Sequence, residues 1–144
     1  MLRASGQVLS GDDADEGARS PSLRLWHPPT VAAVATARRM VVGFLSPGIP
    51  EPTVRVAVLL TSELVTNAVV HATTPFRLDV GVEGPVIAVA VSDSAVGLAS
   101  LSNPGCAEEH GRGLQLVEAL AARWGSETLV GGKRVWFELC SAPA

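Results

Sequence analysis

The spacing of apolar residues changes several times along the chain, and each change predicts an element. Phe76, Leu78, Val80 and Val82 alternate with Arg77, Asp79, Gly81 and Glu83, the two-residue period of a strand with one buried face. Gly84-Pro85 turns the chain, and the unbroken apolar run from Val86 to Val91 suits a strand central to a sheet, with Asp93 at its end. Upstream, Leu23 to Trp26 predicts a short strand. Pro28-Pro29 break it, and Thr30 is placed to cap a helix that runs to about Leu45 and stops at Ser46-Pro47-Gly48. A second helix starts near Glu51, tolerates Pro52 in its first turn, and continues through Val54, Val58, Leu60 and Leu64 to about Ala72. Further on, Leu114, Val117, Leu120, Ala121 and Trp124 recur at helical spacing, with Gly125 placed as a terminator. Two closing strands are expected over 127–130 and 133–139, joined at Gly131-Gly132, with Val135, Phe137 and Leu139 sharing a face.

The order is strand, two helices, two strands, loop, helix, two strands. It predicts an α+β fold, a two-layer sandwich with helices on one face of a mixed sheet. Residues 1–22, rich in Gly, Ser, Ala and Asp, read as a flexible tail, because they carry too little apolar surface to offset the entropy of ordering. The remaining 23–140 read as one domain, interrupted by an aperiodic loop from Gly97 to His110. Hydrophobic residues make up 47% of the chain, enough for a dense core despite only three Phe and three Trp.

Charge narrows the function classes. With 11 Lys+Arg against 14 Asp+Glu there is no basic excess, which disfavours direct nucleic-acid binding. Cys106 and Cys140 lack CxxC spacing and read as thiols, not as a disulfide framework or zinc site. Asp12, Asp13, Asp15 and Glu16 stand where a signal peptide would be apolar, and no run reaches the ~18 apolar residues of a membrane helix. A cytoplasmic protein with no membrane partner is the expectation.

Three polar clusters need a reason. Glu63, Asn67 and His71 fall at i, i+4 and i+8 on a helix that is otherwise apolar nearly all round, so their stripe must meet a polar pocket, a partner or solvent. Asp93 ends the buried strand and is followed by Ser94 and Gly97, where a carboxylate can accept hydrogen bonds from a ligand amino group. Gly111-Arg112-Gly113-Leu114 opens a helix, where free backbone N–H groups and the helix dipole can hold phosphate oxygens. Each has a plain reading alone: a solvated stripe, a turn former, a flexible joint.

In their order the three are more specific. E-x-x-x-N-A-x-x-H-A, then D-S-x-x-G after a Val-rich strand, then G-R-G-L resembles the N, G1 and G2 boxes of the GHKL (histidine-kinase-like) ATPase superfamily. The endings RWG and KRVWFEL are similar to those of its bacterial anti-sigma-factor serine kinase branch, and the resemblance covers about Leu23 to Leu139. It implies the Bergerat fold, with a mostly antiparallel sheet, and ATP with Mg²⁺ as the bound nucleotide. By similarity, Asn67 would ligate Mg²⁺, Glu63 would be the general base, and Asp93 would read the adenine amino group. Gly97 would let the backbone pass close to the base, residues 98–110 would form the ATP lid, and Gly111, Arg112, Gly113 and Leu114 would meet the phosphates. His71 has a packing or helix-end role at least as readily as a ligand role.

The chain also departs from the family pattern. Ala95 stands where many relatives have Gly, and Arg134 where they often have a Thr close to the adenine. A sensor histidine kinase needs a phosphoacceptor hairpin before the fold and a gyrase-type ATPase a domain after it, so a stand-alone domain is expected. The resemblance then implies sequestering a sigma factor and transferring the ATP γ-phosphate to Ser or Thr of a STAS-type antagonist. The alternative is an ATP/ADP-gated binding switch without phosphoryl transfer. Homodimerisation stays open.

Overall fold

The computed structural model describes residues 22–72, 74–94 and 115–141. They form strand β1 (Ser22–His27), helix α1 (Ala32–Leu45), helix α2 (Glu51–Asn67) continued by a π-helical turn (Ala68–Ala72), and strands β2 (Phe76–Glu83) and β3 (Val86–Asp93). A third helix, α3, is described over 115–120, and strands β4 (Arg123–Leu129) and β5 (Gly132–Cys140) close the fold. The sheet order is β1-β2-β3-β5-β4, and every neighbouring pair is antiparallel. No parallel pair occurs among the described strands, so the sheet expected to be mixed but mostly antiparallel is antiparallel throughout them.

Strict alternation decides which side of the sheet is buried. Leu78 and Val80 of β2, Ile87, Val89 and Val91 of β3, and Val135, Phe137 and Leu139 of β5 point toward the helices and are buried. Ala33, Ala37, Val41 and Leu45 of α1 and Val54, Ala57, Leu60, Leu64 and Val65 of α2 cover them. The opposite face mixes charged pairs with Trp26 and Trp136. There Asp79 receives Arg24 at 2.8 Å and Arg77 at 2.7 Å, and Arg77 lies over the Trp26 ring.

Two boundaries differ from the sequence reading. Thr30 makes no side-chain cap; the residue before α1 is Val31, and only the Thr30 carbonyl accepts a bond, from Ala33 N–H. Trp124 and Gly125 belong to β4, not to the end of a helix. Described helix α3 ends at Leu120, and by Ala122 the chain is already bonded to the Glu138 carbonyl of β5. Trp124 keeps its apolar contact from the strand, opposite Phe137, which is why it fits a helical pattern by accident. Gly125 lies beneath the Trp136 indole, where a Cβ would come within 2.9 Å of the ring.

Within the 22-residue helix Glu51–Ala72 an 18-residue stretch has mean hydropathy 1.4, so by length and composition alone the helix could cross a membrane, although Arg55, Glu63 and Asn67 keep it from being an unbroken apolar run. The helix packs against α1, β3 and β5 as the central helix of the core, with Leu59 and Val70 left exposed.

Candidate functional site

Helix α2 buries one side against the sheet and keeps one flank polar. Glu63 and Asn67 stand one turn apart on that flank, each half-buried. His71 follows in the π-helical turn and is also half-buried. Four residues make slightly more than a turn in an α-helix and slightly less where bonding is i to i+5, so the wider turn keeps His71 over the same flank instead of letting it drift into the core. The stripe read from the sequence is therefore present.

The π-helical turn packs against β3, the strand that ends in Asp93. Thr74, just beyond that turn, accepts a hydrogen bond on its hydroxyl from Ser94 N–H at 3.2 Å. The end of the stripe and the end of β3 are thus tied together at one edge of the helix-covered face.

Asp93 is 9% exposed and faces the helices, in register with Phe76 on one side and Lys133 on the other. Lys133 Nζ donates to Asp93 Oδ2 at 2.8 Å, and the two side chains are 9% and 3% exposed, respectively. Lys133 is the site residue that the motif reading missed. Part of the signal was available: Val135, Phe137 and Leu139 share the buried face, so alternation continued to Lys133 puts it there too, but only the strand pairing shows that it meets Asp93. The same alternation puts Arg134 on the other side, opposite Ser92, where its guanidinium pairs with Glu127 at 2.6 Å. Arg134 therefore does not crowd the space beside Asp93.

Glu63 also lines a cavity of about 620 Å³ between α1 and α2, together with Val42, Val58, Leu59 and Arg38; neither Asn67 nor Asp93 lines it. The described structure thus groups Glu63, Asn67 and His71 on one flank and sets Asp93 with Lys133 at the adjoining sheet end. Gly97, the expected lid at 98–110, Gly111, Arg112, Gly113 and Leu114, with Ala95 and Cys106, lie outside the described residues, as does the tail expected over 1–22 apart from Ser22, which is the first residue of β1.

The donor set can be tested against the groups the motifs imply. No cluster of three or more His, Cys, Asp or Glu able to hold a metal exists among the described residues. A Mg²⁺ here would take the Asn67 amide oxygen and complete its shell from phosphates and water, the usual arrangement for this ion. A buried carboxylate at a strand end suits a base bearing an amino group. The residues present fit both.

An antiparallel sheet covered on one side by three helices, with a polar stripe on the central helix and a buried Asp at the adjoining strand end, defines an ATPase-type nucleotide-binding fold. Residues 27–139 match the family model of the histidine kinase-like ATPase domain, and the chain belongs to that family. Among solved structures, the crystal structure of the RsbU and RsbW domains of Rv1364c from Mycobacterium tuberculosis superposes with a TM-score of 0.68 over 87% of this chain at 22% identity. At that identity the likeness is one of fold, and the match spans 34% of that longer chain. No curated protein matches the sequence.

Proposed function

We propose that the domain, over residues 23–140, is a cytoplasmic anti-sigma-factor-type regulator that binds ATP, transfers its γ-phosphate to a Ser or Thr of a STAS-type antagonist, and sequesters a sigma factor. The observation that carries this reading is a carboxylate and a carboxamide one turn apart on the polar flank of a core helix, adjoining a buried Asp. In the reaction, the antagonist hydroxyl oxygen attacks Pγ and the bond from Pγ to the β,γ-bridging oxygen breaks. ADP leaves, and Glu63 accepts the hydroxyl proton. Asn67 orients the triphosphate, and Asp93 accepts the adenine amino group. When bound, Mg²⁺ supplies positive charge that offsets the charge of the phosphates.

Two measurements test this reading. ATP with Mg²⁺ raises the melting temperature, and Asn67→Ala abolishes the rise; a wild-type protein indifferent to ATP would remove the nucleotide assignment. Labelled phosphate passes from ATP to a STAS-type antagonist, and Glu63→Gln slows transfer about 10²-fold or more. Transfer that persists at the wild-type rate in that variant contradicts the base assignment. Binding of ATP with no labelling of any antagonist selects the non-catalytic switch.

A further inference from the structure

We infer that Lys133 is a positioning residue that fixes the Asp93 carboxylate and thereby sets the selectivity of the site for a 6-amino purine over a 6-oxo purine. The inference rests on the nucleotide reading above and adds to it a residue that no motif contains.

Three observations carry it. The ammonium is 2.8 Å from Oδ2, and both side chains are almost wholly buried on the helix-facing side of the sheet. The two residues are direct cross-strand partners on the adjacent strands β3 and β5, so the backbone register itself holds them face to face. At the next position along β5, Gly132 runs so close to the Asp93 carbonyl that a Cβ there would overlap it, leaving the end of β3 no room to shift toward β5.

A pair buried this deeply is weak evidence for stability, because removing two charges from water costs about as much as their attraction returns; geometric definition is what it contributes. An ionised carboxylate can only accept hydrogen bonds, so it matches the amino group at C6 of adenine and mismatches the carbonyl oxygen at C6 of hypoxanthine. That discrimination requires the carboxylate to stay fixed in direction. Lys133 gives Asp93 a charge-assisted donor and ties the end of β3 to β5, so without the ammonium the carboxylate loses that donor and the direction it fixes. A carboxylate free to change direction no longer aims its lone pairs at the C6 substituent, and the distinction between amino and oxo purines is lost.

The test is titration calorimetry of the whole chain with ATP and with ITP, each with Mg²⁺. Wild type binds ATP about ten-fold or more tightly than ITP; Lys133→Met loses about ten-fold in ATP affinity and brings the ratio near one, and Lys133→Arg restores both. If Lys133→Met does not fold, Lys133→Gln, which keeps a polar group but no charge, reads the same loss. A methionine or glutamine variant that keeps the wild-type ATP to ITP ratio overturns the inference, even if both affinities fall together, because a merely structural lysine would weaken both nucleotides alike. Wild-type protein that binds neither nucleotide overturns the site reading and this inference together. Binding that is sensitive to Asn67→Ala but indifferent to Lys133 overturns the inference alone.

Discussion

Gly132 shows how closely the candidate site is built. It opens β5 against the end of β3, and a methyl group in place of its hydrogen would overlap the Asp93 carbonyl and come within 3.0 Å of Ser94 Cα. Both obstacles are backbone, so nothing can rotate away. Gly132→Ala is therefore expected to cost about 1–3 kcal/mol in urea unfolding, and the shift it forces on Asp93 should weaken ATP binding as well. An unchanged midpoint with unchanged affinity would mean that the two strands are not held as tightly as their approach indicates. Of the candidate-site residues, Glu63, Asn67 and Asp93 were legible in the sequence because each is a polar residue in an apolar setting. Lys133 was not, because a lysine near a Gly-Gly turn looks like an exposed one until its strand partner is known.

Strand alternation settles the place of Arg134. A side chain one position away from a site residue on a strand lies on the other face of the sheet, and Arg134 accordingly meets Glu127 while Lys133 meets Asp93. Arg134→Thr, which places here the residue that the family resemblance leads one to expect, should leave ATP affinity within about two-fold. It should cost no more than ~1 kcal/mol of stability, the usual ceiling for a pair whose side chains are 38% and 48% exposed. A marked gain in ATP affinity would show that the arginine reaches round the sheet edge into the site. Element boundaries were readable wherever the period was unambiguous: β2, β3, α2 and β5 all appear at their expected places. The segment from Ala121 to Gly125 was misread, because five apolar residues at helical spacing are equally compatible with a helix end followed by the inward face of a strand. Only the pairing of Trp124 with Phe137 distinguishes them.

For the whole domain, ligand binding and folding are one equilibrium. ATP at about a hundred times its dissociation constant adds roughly 2.7 kcal/mol to the folded state. For a chain of 144 residues that corresponds to roughly 10 °C in melting temperature, the size of the shift that Asn67→Ala should erase. Composition and periodicity alone establish the α+β class, the order of the elements, the face each one buries, and the polar stripe on α2, because these follow from the local geometry of helix and strand. Which strands lie side by side does not follow from local geometry. β3 and β5 are neighbours although β4 and a helix separate them in the chain, and only that non-local pairing brings Lys133 onto Asp93, whereas alternation alone already turns Arg134 to the other face. The energy that selects this pairing comes from closing one apolar face over Val89, Val91, Val135 and Phe137 beneath the helices, a property of the assembled sheet and of no single segment.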